Sequence, residues 1–250
     1  GAYFDIKHPI LQDSLKTWIR ESDLGTFRGS SKYRYSDVGF MILQQIAERV
    51  ADQRMDEFLS ARIYQPMALK NTLFNPIKAG IDHRRIAPTE LDLHFRYQQV
   101  WGEVHDRNAF LFGGVAGHAG LFSNAEDLAI LTNVFLSEGK FRGQQILDNQ
   151  IVEESLQTQF NRNRRGLGWD KKHSKVSSHA SQDSFGHMGF TGTMIWADPD
   201  YDLVFVFLSN RVYPDAENWK LITRNTRSRI QDVVYEALTP VNVPHHEEVE

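Results

Sequence analysis

The sequence contains no cysteine among its 250 residues, which excludes disulfides, thiolate metal sites and a cysteine nucleophile. It also lacks any run of about 18 apolar residues, the length that a membrane helix needs. The first ten residues carry no basic stretch followed by an apolar core, so we expect no signal peptide there. Charge of one sign is not in excess either. The 28 basic and 32 acidic residues leave a net charge of −4, which argues against nucleic acid as a partner.

The overall composition is that of a globular protein. Hydrophobic residues make up 41% and charged residues 24% of the sequence. These shares are close to globular averages and exclude a disordered or fibrous chain. No repeat or Pro/Gly/Ser-rich linker divides the chain, so we expect a single domain over 1–250. Within it we predict a lead segment (1–32), a mainly helical region (33–160), an antiparallel sheet with a C-terminal helix (161–239) and a tail (240–250).

Apolar spacing predicts three helices in the helical region. One begins at the N-cap pair Ser36-Asp37, and a second runs from Met55 to Tyr64 before Pro66. A third follows the capping-box spacing of Ser123 and Glu126, with Ser123 as the N-cap, and ends near Gly139.

The last third of the chain is predicted to form strands. Candidates are Phe185 to Thr191, Met194 to Ala197 and, after the turn at Asp198-Pro199-Asp200, Leu203 to Leu208. The last of these is apolar without alternation, which is typical of a central strand covered on both faces. A final helix, about Ala216 to Leu238, has a broadly apolar side formed by Trp219, Ile222, Ile230, Val233 and Val234. The predicted fold class is therefore α+β, a helical region plus an antiparallel sheet covered by a C-terminal helix.

Three segments could carry chemistry, although each alone also has a structural explanation. Tyr35-Ser36-Asp37 lies at a helix entrance, where an N-cap with a packed tyrosine is the simpler interpretation. Gly113 to Gly120 is glycine-rich but lacks a Gly-Lys-Ser/Thr ending, so it predicts a tight turn lining a cavity and not a phosphate loop. His187-Met188-Gly189-Phe190-Thr191-Gly192 has small residues that would let another backbone or a substrate approach closely.

Taken together, these segments resemble the serine β-lactamase and penicillin-binding-protein family, in its esterase and class C-like branch. That family combines Ser-x-x-Lys, Tyr-x-Asn and Lys-Thr-Gly or His-x-Gly. The resemblance is closest to the β-lactamase-like domain that some bacteria fuse behind a family 3 glycoside hydrolase. It extends from Tyr33 nearly to the last helix, in these stretches: 33–40, 88–90, 102–106, 113–124, 164–170, 186–193 and 207–211.

The resemblance implies roles for several residues. Tyr35 would share proton transfer with the family's lysine, and Asp37 would occupy the usual Asn position, although a carboxylate cannot donate a hydrogen bond. His187 would complete the catalytic set. Substrate binding would fall to Ser36, Gly189, Phe190 and Thr191, with a nearby backbone N–H in an oxyanion hole.

The same resemblance implies a setting for the protein. It suggests a small-molecule or peptidoglycan-derived substrate, no metal or other cofactor, and a location in the periplasm or cell envelope. It also suggests no nucleic-acid partner and no membrane span.

The family's nucleophile is not found in this sequence. The only serine with lysine three residues later is Ser137, with Lys140, and we reject this pair because it ends a helix and lies downstream of Tyr35. Ser14 and Lys16 have the wrong spacing for one helix face. We therefore expect a C-terminal portion of a larger enzyme, with a pseudoenzyme as the alternative. In either case the edge of Leu203 to Leu208 would need a partner, either Ala2 to Ile6 or a second chain.

Three functions compete at this stage. The first is an acyl-serine hydrolase acting on a β-lactam, a peptidoglycan peptide or an ester, catalytically incomplete as given. The second is a noncatalytic binding or structural module of the same fold. The third is a metal hydrolase using His105, Asp106 and His118, for which the helical His-x-x-x-His spacing of zinc enzymes is lacking.

Overall fold

The computed structural model describes residues 9–21, 33–160 and 164–238. These residues form two compact units. The first comprises the described residues up to Ser123 together with Tyr213–Asp215, and the second comprises Asn124–Val212 with the described residues from Ala216 onward. Each unit has its own cluster of buried apolar side chains.

Helices and short strands alternate through the described residues. The helices are α1 (Pro9–Glu21), α2 (Asp37–Ala51), α3 (Met55–Leu59, continued by a π-helical turn over Ser60–Tyr64), α4 (Arg107–Leu111), α5 (Ala125–Leu136), α6 (Asn149–Leu156), α7 (Lys220–Thr223) and α8 (Thr226–Glu236). The strands are β1 (Leu73–Phe74), β2 (Glu90–Asp92), β3 (Gln98–Val100), β4 (Leu121–Phe122), β5 (Lys140–Phe141), β6 (Gln144–Gln145), β7 (Asp170–Lys171), β8 (Phe185–Met188), β9 (Met194–Asp198) and β10 (Leu203–Phe207).

The first unit packs α1, α2 and α4 around one apolar cluster. Ile19 of α1, Met41 of α2 and Phe110 of α4 are buried in it. The predicted start of α2 is confirmed, since Ser36 is its N-cap. The predicted helix from Met55 to Tyr64 is confirmed as well, with its last turn widened to π-helical geometry. Helix α1 lies in the lead segment, for which the sequence predicted no structure.

Two expectations for the region 33–160 need correction. Much of it consists of turns and two-stranded antiparallel pairs, β1 with β4, β2 with β3 and β5 with β6, and it is not mainly helical. The N-cap of α5 is Asn124, whose side chain accepts a hydrogen bond from the N–H of Asp127, and not Ser123. The Ser123 hydroxyl is occupied elsewhere, because it lies 2.8 Å from the Thr72 hydroxyl.

The second unit is built on a four-stranded antiparallel sheet in the order β10-β9-β8-β7. In β9, Trp196 is fully buried and pairs with Gly186 on one side and Phe205 on the other. Leu203 to Leu208 was predicted as a central strand whose edge needs a partner, and among the described residues β10 has only β9 as a neighbour and only Phe205 is buried. Its mixed exposure follows from having one neighbouring strand instead of two.

The predicted C-terminal helix is present but divided. Asn225, with φ of 50°, separates α7 from α8, so one continuous helix from Ala216 to Leu238 is wrong. Tyr235 packs with the sheet residues of the buried cluster, which confirms that this helix covers the sheet.

The predicted apolar side of that helix is also wrong in part. Trp219, Ile230 and Val233 are exposed, whereas Gln231 is fully buried. The side-chain oxygen of Gln231 accepts a hydrogen bond from the Ser177 N–H at 2.9 Å, whereas its buried Nε2 makes no hydrogen bond within the described residues. Hydrophobic periodicity does not predict the inward position of Gln231, because the partner of its side-chain oxygen is distant in the sequence.

Two expectations fall outside the described residues, namely an edge partner formed by Ala2 to Ile6 and a solvated tail from residue 240. Among the described helices, none combines the length and the apolar character that crossing a membrane requires.

Candidate functional site

The predicted residues Tyr35, Ser36 and Asp37 lie at the start of α2 in the first unit. Ser36 is extended, with φ of −150°, and its hydroxyl oxygen accepts a hydrogen bond from the Gly39 N–H at 3.2 Å. This cap satisfies a backbone donor of the first turn, and the Asp37 carboxylate adds a favourable interaction with the helix dipole. Tyr35 directly precedes the cap and its side chain is 56% exposed. The helix entrance therefore presents a phenol to solvent from a fixed backbone position.

The glycine-rich loop 113–120 is attached to α2 by one side chain. Gln44 accepts a hydrogen bond from the Gly117 N–H at 3.0 Å and donates one to the Val115 carbonyl at 3.2 Å. A Cβ atom on Gly117 would lie 2.3 Å from the Phe40 carbonyl oxygen, so only glycine fits this approach. The loop also contributes Gly113 to a cavity of about 420 Å³. The prediction of a tight turn lining a cavity is confirmed.

The three residues of the metal hypothesis are engaged with carboxylates or with backbone. His118 Nε2 lies 2.8 Å from Asp106 Oδ1, and the same oxygen caps α4 through the Ala109 N–H. Burial acts to raise the pKa of Asp106, but the hydrogen bonds from His118 and from Ala109 outweigh it and hold that pKa below its usual range. His105 pairs separately with Glu90 at 2.6 Å. Within the described ranges, no group of three or more potential ligands is arranged to hold a metal ion.

The strand motif of the second unit ends in a tight turn. His187 and Met188 are the last residues of β8, and the chain then turns through Gly189 to Thr193, with the Gly189 N–H donating to the Thr193 carbonyl at 2.9 Å. The strand is therefore shorter than predicted, since Gly189 to Thr191 belong to the turn. Gly192 has φ of +112°, and a Cβ there would meet the Ser209 hydroxyl at 2.6 Å. Glycine at position 192 is thus required by its positive φ and by the side chains packed against it.

Arg211 holds this turn in place through hydrogen bonds to carbonyl groups of the main chain. Its Nε donates to the Phe190 carbonyl at 2.8 Å, and its Nη1 donates to the carbonyls of Ala216 and Asn218 at 2.8 and 3.0 Å. The Arg211 N–H also donates to the Thr191 carbonyl at 2.8 Å. These four hydrogen bonds fix the path of the turn, so Arg211 is a positioning residue that the sequence analysis included in a matching stretch without a role.

Two aromatic rings, inclined at 85° to each other, contact the Arg211 guanidinium. Its Cζ atom lies 4.4 Å from the centre of the Phe190 ring and 4.2 Å from that of Trp219. Arg211 is 5% exposed, and this burial lowers the pKa of its guanidinium, although the group stays charged. The Phe190 ring itself is 55% exposed. The turn therefore offers an aromatic surface to solvent while its backbone is held rigidly.

His187 is a half-buried imidazole beside a cluster of charges. Burial is the main cause that lowers its pKa, the positive charge of Arg165 lowers it further, and the negative charge of Asp170 opposes both. Its pKa therefore lies below the usual value of about 6.5. The neutral imidazole is the dominant form at neutral pH and can accept a proton.

Asp170 organises the charge cluster. This carboxylate is 5% exposed and lies 2.8 Å from Arg164 Nε, 3.4 Å from Arg165 Nη2 and 3.2 Å from His173 Nε2. Burial acts to raise the pKa of Asp170, but hydrogen bonds from His173 and Arg164 outweigh it and hold that pKa low. Asp170 pairs with Gly186 in the sheet, one residue before His187. The sequence analysis used residues 164–170 only for their resemblance to the family. The local signal for the role of Asp170 is the pair of adjacent arginines, Arg164 and Arg165, that shortly precedes it.

The predicted site residues are thus distributed over both units. Tyr35, Ser36 and Asp37 belong to the first, and His187, Gly189, Phe190 and Thr191 belong to the second. The rejected pair Ser137 and Lys140 lies at the end of α5, where Lys140 Nζ is 3.0 Å from Glu138 Oε2.

Comparison with known proteins identifies the class. The Beta-lactamase family model matches residues 11–226. This chain therefore belongs to the β-lactamase-like family, with the α+β fold that its structure shows.

Two curated relatives share more than a third of the aligned residues. An "N-acetylmuramyl-L-alanine amidase" of Bacillus subtilis is 35% identical over 74% of this chain and 46% of its own length. A "Putative D-alanyl-D-alanine carboxypeptidase" of Salmonella typhi is 36% identical over 78% of this chain and 49% of its own. The chain thus spans about half the length of these relatives.

Solved structures agree on the fold. A penicillin-binding protein homolog from Caulobacter crescentus matches with a TM-score of 0.58 at 16% identity, over 84% of this chain and 61% of that one. A β-lactamase from Mycobacterium bovis matches with a TM-score of 0.55 at 20% identity, over 83% and 65%.

Proposed function

We propose that this chain is the portion of an acyl-serine hydrolase that supplies the helix-entrance tyrosine and the strand motif. The substrate is an amide bond at alanine in a peptidoglycan peptide. The observation that carries the proposal is the turn after β8. Its backbone is held by Arg211 and it follows His187, a neutral imidazole. The names of the two curated relatives both refer to a bond at alanine, and this supports such a substrate over a β-lactam or an ester.

Each residue has a distinct role in this proposal. The nucleophile is a serine in a Ser-x-x-Lys motif that lies in polypeptide outside this sequence. Its oxygen attacks the amide carbonyl and forms the acyl–serine ester while the C–N bond breaks. The lysine and the Tyr35 phenol pass the serine proton to the nitrogen of the leaving amine. A backbone N–H of the turn at Gly189 and Phe190 stabilises the oxyanion, which needs donors fixed in advance. Asp37 pairs with the lysine, and His187 accepts a proton when water releases the acyl group.

The setting follows from the same proposal. An enzyme for peptidoglycan peptides acts in the cell envelope, and the periplasm remains a prediction. A fusion to a glycoside hydrolase also remains a prediction. The missing portion, or a second copy, would pair with the β10 edge. Neither a metal nor a cofactor has a role in the proposed chemistry, since the lysine, Tyr35 and His187 transfer the protons.

A noncatalytic module of the same fold is the second candidate. One observation favours it: the sequence holds Lys three residues after Ser only at Ser137, which lies at a helix end. Such a module would bind the peptide at the turn without cleaving it.

The test compares the 250-residue chain with the product of the full reading frame that encodes it. After incubation with benzylpenicillin, we expect a stoichiometric mass adduct on the full-length product, at a serine outside these 250 residues. We also expect release of D-alanine from a D-alanyl-D-alanine peptide, and neither result for the 250-residue chain. Tyr35→Phe and His187→Ala in the full-length product should lower kcat by at least tenfold, whereas Arg224→Met should leave it unchanged.

Other results would contradict the proposal. An adduct at Ser36 or Ser137 of the 250-residue chain would place the nucleophile inside this sequence. Peptide binding by the full-length product without adduct or turnover would establish the noncatalytic module. Turnover of esters or β-lactams but not of peptides would overturn the substrate assignment.

A further inference from the structure

The first unit carries a second cavity that the proposed function does not use. Its volume is about 390 Å³, within the range of about 300–1,000 Å³ that small-molecule sites occupy. Six of the residues that line it carry a ring, an amide or a charge: Lys78, His83, Gln98, Gln99, Trp101 and Glu103. One apolar ring surrounded by polar groups is a distinctive composition for a cavity wall.

Trp101 supplies the apolar surface of this cavity. Its indole N–H donates to the Ile86 carbonyl at 2.6 Å, so the polar edge of the ring is already engaged. The His83 ring lies 5.1 Å from it, tilted by 53°, and supports the indole from one side. What the half-buried indole offers to a ligand is therefore a flat apolar face in a fixed orientation.

The polar groups of the wall are balanced in charge. Lys78 and Glu103 contribute one charge of each sign, and the amides of Gln98 and Gln99 can each donate and accept hydrogen bonds. Both glutamine side chains are exposed, and none of the hydrogen bonds found within the described part of the chain uses them. This wall suits a neutral ligand rich in hydroxyl groups better than a phosphate, which would need clustered cations.

The wall is held by a close backbone approach. Gly102 has φ of +73°, and a Cβ there would lie 2.5 Å from Ile77 Cγ1. Trp101 and Glu103 therefore flank a position that only glycine can occupy. The cavity also shares Asn75 and Lys78 with the neighbouring cavity of about 420 Å³, which is lined by Arg54 and Phe74. A ligand longer than one ring can extend from one cavity to the other.

We propose that this cavity binds a neutral disaccharide of pyranose rings with equatorial hydroxyls. Such a ring has a flat C–H face that stacks on the Trp101 indole. Its hydroxyl groups point outward in the plane of the ring, where Gln98, Gln99 and Glu103 form hydrogen bonds with them. The binding needs no nucleophile, so it is a property of the 250-residue chain and stands independently of the proposed hydrolase.

The test follows the indole N–H signal of Trp101 by NMR during titration with cellobiose and, separately, with N,N′-diacetylchitobiose. The signal is assigned from its absence in Trp101→Phe. We expect a saturable shift with at least one disaccharide and a Kd on the order of 1 mM. The two sugars share the β-linked equatorial rings and differ in the acetamido groups, so their ratio of affinities shows whether the amides of the wall recognise them.

Variants separate ring stacking from general damage. Trp101→Ala should weaken binding at least tenfold, followed through other shifted signals, whereas Trp101→Phe should lose only about threefold, because a ring remains. The double change of Gln98→Ala and Gln99→Ala alters exposed side chains and should weaken binding about threefold to tenfold. Trp18→Ala, which removes an exposed tryptophan of α1, should bind like the parent chain.

Three results would overturn the proposal. The first is no saturable shift with either disaccharide. The second is unchanged affinity in both Trp101→Ala and the double glutamine variant. The third is binding of glucose 6-phosphate alone, which would assign the cavity to anions.

Discussion

The side chain of Gln44 accepts a hydrogen bond from the backbone N–H of Gly117 at 3.0 Å, although 73 residues separate the two in the chain. The same amide donates to the Val115 carbonyl, so one side chain satisfies two polar groups of the glycine loop. Gln44 is 5% exposed. Buried backbone groups that lose their partner carry the full cost of desolvation, so this contact contributes to stability as well as to geometry.

Replacing Gln44 should therefore destabilise the protein. Gln44→Leu keeps the volume but removes both hydrogen bonds to the loop and a third one, from Nε2 to Glu48 Oε1 at 3.1 Å. We expect a loss of about 1–3 kcal/mol in the free energy of unfolding. Urea unfolding followed by circular dichroism measures it. Gln45→Leu is the matched control, because Gln45 bonds only within its own helix, to the Met41 carbonyl at 3.4 Å. Equal stability of the two variants would refute the role of Gln44.

Two glycines near this contact should respond in opposite directions to the same change. Gly117→Ala would place a Cβ 2.3 Å from the Phe40 carbonyl oxygen, and we expect destabilisation by about 1–3 kcal/mol. Gly39→Ala, in α2, would meet only ordinary contacts at 3.8 Å and should stabilise by about 0.5–1 kcal/mol through helix propensity. Thermal unfolding of both variants checks the sign. A stable Gly117→Ala variant would show that the loop can withdraw from the helix.

Removing the guanidinium of Arg211 should loosen the turn after β8. Arg211→Met keeps much of the stem but loses the hydrogen bonds to three carbonyl groups, and we expect destabilisation by about 1.5–3 kcal/mol. Amide exchange at 189–193 should accelerate more than exchange in β9. Arg211→Lys should not restore the parent rate, since an ammonium cannot reproduce the planar fork. Arg224→Met, at an exposed position, should change neither quantity.

The titration of His187 gives a pH test. Its pKa in the folded chain should lie below about 6.5, the unfolded value, as measured by NMR of the imidazole. The fold then favours the neutral ring. Its contribution to stability is fully present above the unfolded pKa and is lost as the pH falls through the folded pKa.

Neighbouring charges of opposite sign should shift the pKa of His187 in opposite directions. Arg165→Gln removes a positive charge and should raise the pKa of His187, whereas Asp170→Asn removes a negative charge and should lower it further. Arg224→Gln should leave the pKa where it is. A midpoint above 6.5 in the parent chain would contradict the buried, neutral imidazole.

Local signals in the sequence were sufficient where a structure depends on neighbours in the chain. Ser36 caps α2 through a residue three positions away, and this was predicted. Ser123 was predicted to cap α5 by the same reasoning, but its hydroxyl pairs with Thr72, 51 residues away, and Asn124 takes the cap. The capping-box rule considers only four consecutive residues, so it could not detect Thr72 as a competing partner of Ser123.

The resemblance to a family suggested site residues but not the contacts that hold them. Arg211 and Gln44 act through groups 21 and 73 residues away, so neither periodicity nor motif spacing assigns them a role. The inward position of Gln231 has the same explanation, because its partner Ser177 lies 54 residues earlier. Long-range polar pairs are the part of this fold that sequence reasoning could not reach.

The hydrogen bonds from Arg211 have an evolutionary consequence. They are made to carbonyl groups of the main chain, and every amino acid supplies the same carbonyl group. Substitutions at Ala216 and Asn218 can therefore accumulate without breaking these hydrogen bonds, provided that the backbone keeps its path. A lineage could diversify the side chains around the turn while inheriting its rigidity from a single arginine.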